Sequence, residues 1–170
     1  MIIVAPTCMH TGSHFVFEYL FGHLPKLNMQ FPNYGATDGL YFNHLIDRNI
    51  AMFKPLMEKY PVVVPLRHPL VVAASHTAKL RSLDHRQWIN LAETVDSFNP
   101  YYLPVDRPDR NDYMIALNKG LGTDFPLEWP VYGGRTDTSA LRHYDLEPDP
   151  HVDKLLENDA VRNLIERIYK

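Results

Sequence analysis

Hydrophobic positions along the chain follow two periods, one typical of buried strands and the other of amphipathic helices. Continuous apolar runs at 2–5 and 61–66 predict strands that are buried on both faces. Residues 40–45 and 100–106 predict two further, short strands. Between and after these strands, apolar residues recur at helical spacing. The predicted helices cover residues 13–23, 47–59, 70–82, 85–98, 109–121 and 152–169.

This alternation of strands and helices is the pattern of an α/β fold with a mainly parallel sheet. Two segments without either period, 28–39 and 123–150, are rich in turn-forming residues and predict loops. At 170 residues the chain has the length of one domain, and we expect residues 1–170 to form it.

Composition narrows the class of protein without identifying a function. Hydrophobic residues make up 45% of the chain and charged residues 22%, as in ordinary soluble globular proteins. The net charge of -3 argues against a general nucleic-acid binder, and no apolar run has the length of a membrane span. One cysteine, Cys8, excludes an internal disulfide framework. The first apolar stretch is too short for a secretion signal, so we expect a cytoplasmic protein.

The turn between the first strand and the first helix is the first candidate for chemistry. A helix that begins directly after a strand presents N–H groups without partners, and these favour an anion. Gly12 allows close approach of the backbone to a ligand, and Thr11 and Ser13 add hydroxyl donors. His10 and His14 add charge when protonated. The pattern GxxxxGK[ST] is absent, and a turn without any ligand is the alternative interpretation.

The second candidate is Arg67, which stands where the strand at 61–66 ends. Ligands of open α/β sheets bind at this end of the strands, and a guanidinium can hold a phosphate through two hydrogen bonds. Pro69 suits the first turn of the next helix, on which Ser75 lies about two turns further on. Alternatively, Arg67 caps a helix or pairs with a carboxylate, and Ser75 is a small packing residue.

Both segments, in this order, carry a resemblance to a known enzyme family. The segment from Thr11 to Phe21 is similar to the 5′-phosphosulfate loop of carbohydrate sulfotransferases, [ST]-G-S-[ST]-[FW]-L before a helix. Arg67-His68-Pro69 followed by Ser75 is similar to the 3′-phosphate motif of the same family. The chain thus resembles the sulfotransferases that use 3′-phosphoadenosine 5′-phosphosulfate (PAPS). This resemblance implies a P-loop-like three-layer sandwich, in which helices flank a central, mainly parallel sheet.

The resemblance also implies a role for each matching residue. The residues that would hold the 5′-phosphosulfate are Thr11, Gly12, Ser13, His14 and Phe15. Arg67 and Ser75 would hold the 3′-phosphate. His44 lies between the two motifs in a context like that of the family's catalytic histidine, and it would accept the proton of the attacking hydroxyl. Alternatively, His44 is an ordinary loop histidine.

The chain departs from the family pattern at two places. Many members have a lysine two residues before the loop glycine, whereas this chain has His10. We expect His10, when protonated, to help neutralise the departing 3′,5′-ADP. The closing R-K-G loop of the family has its nearest counterpart in Gly133-Gly134-Arg135, so Arg135 is a further candidate for binding the nucleotide.

We therefore expect a sulfotransferase that transfers a sulfuryl group from PAPS to a hydroxyl of a small-molecule or carbohydrate acceptor. We expect no metal, because the chain has neither HExxH nor zinc spacing of cysteines and histidines. We expect no nucleic-acid or membrane partner. Golgi anchors are usual in the eukaryotic members, so a cytoplasmic member points to a bacterium or a virus. The alternatives are a P-loop nucleotide or small-molecule kinase and a non-catalytic nucleotide-binding protein on the same fold.

Overall fold

A computed structural model describes residues 1–8, 11–12, 15–44, 46–77, 83–127 and 142–170. In these ranges the chain forms four β-strands and six α-helices. The strands are β1 (Ile2–Pro6), β2 (Gly39–Asn43), β3 (Val63–Leu66) and β4 (Tyr101–Pro104). The helices are α1 (Ile46–Met57), α2 (Pro69–Thr77), α3 (His85–Glu93), α4 (Arg110–Leu121), α5 (Pro150–Leu156) and α6 (Asp159–Tyr169).

The strands pair in parallel, which confirms the predicted mixed α/β class. β1 pairs with β2 in a register that places Val4 opposite Tyr41, and β3 pairs with β4. The pairing forms two two-stranded sheets in place of the one continuous sheet that we expected. A single parallel bridge between Val4 and Val62 connects them, and the Val4 amide donates to the Pro61 carbonyl at 3.0 Å. β1 and β3 therefore run side by side in the same direction.

Successive residues of each strand face two different hydrophobic clusters. In β1, Ile2 and Val4 belong to one cluster, and Ile3 and Ala5 belong to the other. The larger cluster contains apolar side chains of α1, α2, α3, α5 and α6. The smaller cluster contains side chains of α4 and of a π-helical segment at Phe15–Leu20. Because both faces of the strands are covered, the strands appear in the sequence as continuous apolar runs.

Several helices differ in extent from their prediction. Within the expected helix at 13–23, the described residues form the π-helical segment Phe15–Leu20 followed by a turn, and residues 13–14 lie outside the described residues. The expected helix at 85–98 divides into α3 and a 3₁₀ turn at Val95–Phe98. The expected helix at 152–169 is α5 followed by α6. Asn158 separates these two helices, because its side chain accepts a hydrogen bond from the Val161 amide at 3.0 Å and caps α6. Asparagine favours this capping position over a helix interior.

The predicted end of the helix at 109–121 is confirmed. α4 ends at Gly122, whose φ of 66° is the left-handed conformation that glycine adopts readily after a helix. The predicted irregular stretch 123–150 contains a 3₁₀ turn at His143–Asp145, and its residues 128–141 lie outside the described residues. Among the described helices, none combines the length and the apolar character that crossing a membrane requires.

Candidate functional site

The carboxyl ends of the four strands lie at one edge, because β1 is parallel to β2, to β3 and, through β3, to β4. We call this edge the carboxyl edge. The residues that follow the strands there include Thr7 after β1, His44 after β2, Arg67 after β3 and Asp106 after β4. In open α/β folds this is the usual place for a ligand.

Hydrogen bonds join His44 to the end of β1. The Thr7 amide donates to the Asn43 carbonyl at 3.2 Å. The Thr7 hydroxyl oxygen lies 3.3 Å from the same carbonyl and 3.4 Å from Nδ1 of His44. Thr7 is fully buried, whereas Asn43 and His44 are half-buried. The predicted base is thus held beside the strand that leads into the glycine turn.

The direction in which Thr7 donates its single hydroxyl proton determines which imidazole nitrogen of His44 can act as a base. The Asn43 carbonyl can only accept a hydrogen bond. When the Thr7 hydroxyl donates to it, the Thr7 oxygen accepts from Nδ1–H, and the lone pair of a neutral His44 lies on Nε2. The ring also packs edge-on against Phe42 at 4.6 Å and Phe17 at 6.5 Å between ring centroids. These contacts fix the plane of the ring.

Thr11 and Gly12 hold the turn after β1 in ways that the sequence did not reveal. Thr11 is fully buried, and its hydroxyl donates to the Cys8 carbonyl at 2.8 Å. Its one proton therefore closes the turn and does not face a ligand in this conformation. Gly12 has a φ of 92°, and a Cβ atom there would lie 2.8 Å from Cγ2 of Val105. The glycine is required by its backbone conformation and by the room that Val105 takes.

Arg67 and Ser75 have different surroundings. Arg67 is half-buried directly after β3. Burial, followed by the Asp106 carboxylate, raises the pKa of Tyr169 well above its usual value, and the positive charge of Arg67 opposes this shift. Ser75 lies on α2, about 9 Å along the helix from Pro69, and is only 3% exposed. This burial agrees with the alternative that Ser75 is a packing residue.

Asp106, a carboxylate at the same edge that is 3% exposed, was not among the predicted site residues. Its Oδ2 accepts a hydrogen bond from the His68 amide at 2.9 Å, and its Oδ1 accepts one from the Tyr169 hydroxyl at 2.6 Å. The turn after β3, the end of β4 and the last turn of α6 therefore meet at one side chain. The position of Asp106 at the end of a predicted strand was a signal in the sequence, but its contact with Tyr169, 63 residues away, had none.

His68 is part of a group of rings beside Asp106. The rings of His68 and His143 stack with 4.3 Å between centroids, and Tyr169 lies edge-on to both. Nδ1 of His68 accepts a hydrogen bond from the Leu70 amide at 3.2 Å at the start of α2. Burial, and then the neighbouring His143, lowers the pKa of His68 to about 3. His68 therefore stays neutral near pH 7, and its Nδ1 remains an acceptor.

The structure places five predicted site residues in or near this edge and leaves others undescribed. Thr11, Gly12, His44 and Arg67 follow strand ends, and Phe15 begins the π-helical segment. The predicted residues that lie outside the described residues are His10, Ser13, His14 and Arg135. No family model matches the chain, and no similar protein was found among curated proteins or solved structures.

The crowding around Gly12 predicts a specific loss of stability. Gly12→Ala should lower the free energy of unfolding by about 2–3 kcal/mol, because the new Cβ meets Val105 and the backbone has a positive φ. Gly122→Ala is the matched control, since Gly122 also has a positive φ but no atom within 4 Å of the added Cβ. That control should lose only about 1 kcal/mol in urea denaturation. Equal losses would contradict the assigned contact with Val105.

The low pKa of His68 predicts that acid destabilises the fold. An unfolded histidine titrates near pH 6.5, so from there down to about pH 3 the unfolded chain binds a proton that the folded chain does not. The free energy of unfolding should therefore fall by about 2 kcal/mol from this residue between pH 7 and pH 5. His68→Asn keeps a capping acceptor but cannot titrate. Between pH 7 and pH 5, the free energy of unfolding of this variant, measured by urea denaturation, should therefore fall by about 2 kcal/mol less than that of the unmodified protein. The same pH dependence in both proteins would contradict the assignment.

Proposed function

We propose that the chain is a PAPS-dependent sulfotransferase domain acting on a hydroxyl of a small-molecule or carbohydrate acceptor. The observation that carries the proposal is the parallel bridge between Val4 and Val62. Through this bridge the glycine turn after β1 and Arg67 after β3 belong to the same edge. A nucleotide with phosphate groups at both its 5′ and 3′ positions needs two anion-binding places side by side, and we assign these roles to the glycine turn and Arg67.

The same bridge supports the expected architecture. We propose that, with this bridge included, the four parallel strands form one sheet in the order β2-β1-β3-β4. The two hydrophobic clusters on opposite faces of the strands supply the outer layers of helices that a P-loop-like sandwich requires. We include this three-layer arrangement in the proposal.

In the proposed reaction, the acceptor oxygen forms a bond to sulfur while the bond from sulfur to the bridging phosphate oxygen breaks. Nε2 of His44 takes the hydroxyl proton, and Thr7 supports this role by holding Nδ1. The negative charge that develops on 3′,5′-ADP is stabilised by backbone N–H groups of the glycine turn and by His10 in its protonated form. Arg67, rather than the buried Ser75, carries the contact with the 3′-phosphate.

The position of Asp106 bears on the kinase alternative. A kinase needs carboxylates at a strand end to hold Mg²⁺. Asp106 stands at such an end, but the His68 amide and the Tyr169 hydroxyl each occupy one of its oxygens. Both oxygens of this carboxylate therefore accept hydrogen bonds within the protein, which argues against a role in holding Mg²⁺ and against the kinase alternative.

A second candidate function is nucleotide binding without catalysis, which two observations favour. The Thr11 hydroxyl donates to the Cys8 carbonyl, and Ser75 is buried, so two hydroxyls of the family motifs face the protein instead of a ligand. In addition, His10 replaces the usual loop lysine. Such a protein would bind 3′,5′-ADP but transfer no sulfate.

The assignment of Arg67 predicts a selective effect on nucleotide affinity. The protein should bind 3′,5′-ADP more tightly than 5′-AMP, because only the former carries the 3′-phosphate. Arg67→Ala should weaken 3′,5′-ADP binding by about 10- to 100-fold and leave 5′-AMP binding nearly unchanged in calorimetric titrations. Arg162→Ala, which removes an exposed arginine paired with Asp159, should change neither affinity. Equal affinities of the unmodified protein for the two nucleotides would refute the assignment.

The assignment of His44 predicts a loss of turnover with intact binding. His44→Ala should lower kcat by about 100-fold or more, with little change in nucleotide affinity, because a base acts in the transition state. The assay is transfer of labelled sulfate from PAPS to a mixture of hydroxyl acceptors. His151→Ala, at an exposed position of α5, serves as the control and should keep full turnover. Unchanged turnover in His44→Ala would remove the base, and no transfer by the unmodified protein would favour the non-catalytic candidate.

A further inference from the structure

Asp106 binds the peptide group that connects Arg67 to His68. The N–H of this peptide donates to Oδ2 of Asp106 at 2.9 Å. One step earlier, the Val105 amide donates to the Leu66 carbonyl at 2.9 Å, so the contact between the ends of β3 and β4 continues through a side chain. We infer that Asp106 is a positioning residue for Arg67, which it prepares for the 3′-phosphate; this inference rests on the proposed function.

The second oxygen of Asp106 is held by a different element. The Tyr169 hydroxyl donates to Oδ1 at 2.6 Å. Burial, followed by the Asp106 carboxylate, raises the pKa of Tyr169 well above its usual value, so the hydroxyl keeps its proton and remains a donor. With both oxygens engaged, the carboxylate cannot rotate without breaking a buried hydrogen bond, which carries a high cost. α6 thereby controls the orientation of Asp106.

The docking of α6 does not depend on the Tyr169 hydroxyl alone. The Ile168 carbonyl accepts hydrogen bonds from the guanidinium of Arg107 and from the Tyr113 hydroxyl. The Ile168 side chain is buried in the larger hydrophobic cluster. Removal of the Tyr169 hydroxyl therefore loosens Asp106 while the last turn of α6 stays in place, which makes Tyr169→Phe a mild test.

A fixed backbone at Arg67 matters for phosphate binding because of entropy. A side chain that becomes ordered only on binding loses conformational entropy, and this loss offsets part of the interaction free energy. The loss is smaller for a guanidinium on a turn that is already rigid. The carboxylate of Asp106 supplies this rigidity at the residue next to Arg67. The effect should therefore concern the 3′-phosphate alone and leave recognition of the 5′ end as it was.

Calorimetric titration of 3′,5′-ADP and 5′-AMP tests the inference with three variants. Asp106→Asn should reduce the preference for 3′,5′-ADP by about tenfold, and Tyr169→Phe by about threefold, each with 5′-AMP affinity unchanged. Tyr102→Phe is the matched control, since the Tyr102 hydroxyl donates to Oδ1 of Asp96 at 2.9 Å in a similar pair. It should leave the preference as it was.

Amide hydrogen exchange at His68, measured without nucleotide, provides a second readout. Exchange should be faster in both Asp106→Asn and Tyr169→Phe than in Tyr102→Phe. A full preference for 3′,5′-ADP in the two variants, despite faster exchange, would overturn the positioning role and leave the proposed function standing. Equal affinity of the unmodified protein for both nucleotides would overturn both. If Asp106→Asn fails to fold, Tyr169→Phe, which lacks one oxygen atom, decides the question.

Discussion

The hydrogen bond from the Val4 amide to the Pro61 carbonyl underlies the arrangement of the strand ends. It joins the pair β1–β2 to the pair β3–β4 and fixes their common direction. The donor residue, Val4, is fully buried, which limits competition by water for this bond. The two hydrophobic clusters, each of which contains residues of both strand pairs, support the same arrangement. With this hydrogen bond, four strand ends form one edge.

Polar residues at this edge divide into two groups by burial. Thr7, Thr11, His68 and Asp106 are buried, and each makes hydrogen bonds that close a turn or join two elements. His44 and Arg67 are only half-buried. Buried polar groups in folded proteins are almost always satisfied internally, so the first group maintains the shape of the edge. His44 and Arg67, the two side chains on which the proposal rests, keep part of their surface exposed.

The pattern of the sequence predicted the strands, the helical faces and the place of Arg67, because these follow from local hydrophobic periods. It failed where a side chain competes with the backbone. Asn158 interrupts a stripe of apolar residues that otherwise suits one long helix, since its side chain caps α6. The roles of Thr11 and Gly12 depend on Cys8 and Val105, and that of Asp106 on Tyr169. The contacts of Gly12 with Val105 and of Asp106 with Tyr169 join distant parts of the chain, so no local pattern contains them.

In the proposed function, one edge of the fold binds the two phosphate-bearing ends of a single nucleotide. A crystal structure of the protein with 3′,5′-ADP would show both ends at once. We expect the 5′-phosphate against the backbone of the turn at Gly12 and the 3′-phosphate within hydrogen-bond distance of the Arg67 guanidinium, with His44 facing the vacant sulfuryl position. A nucleotide bound away from Arg67, or with its 3′-phosphate in solvent, would refute this binding mode.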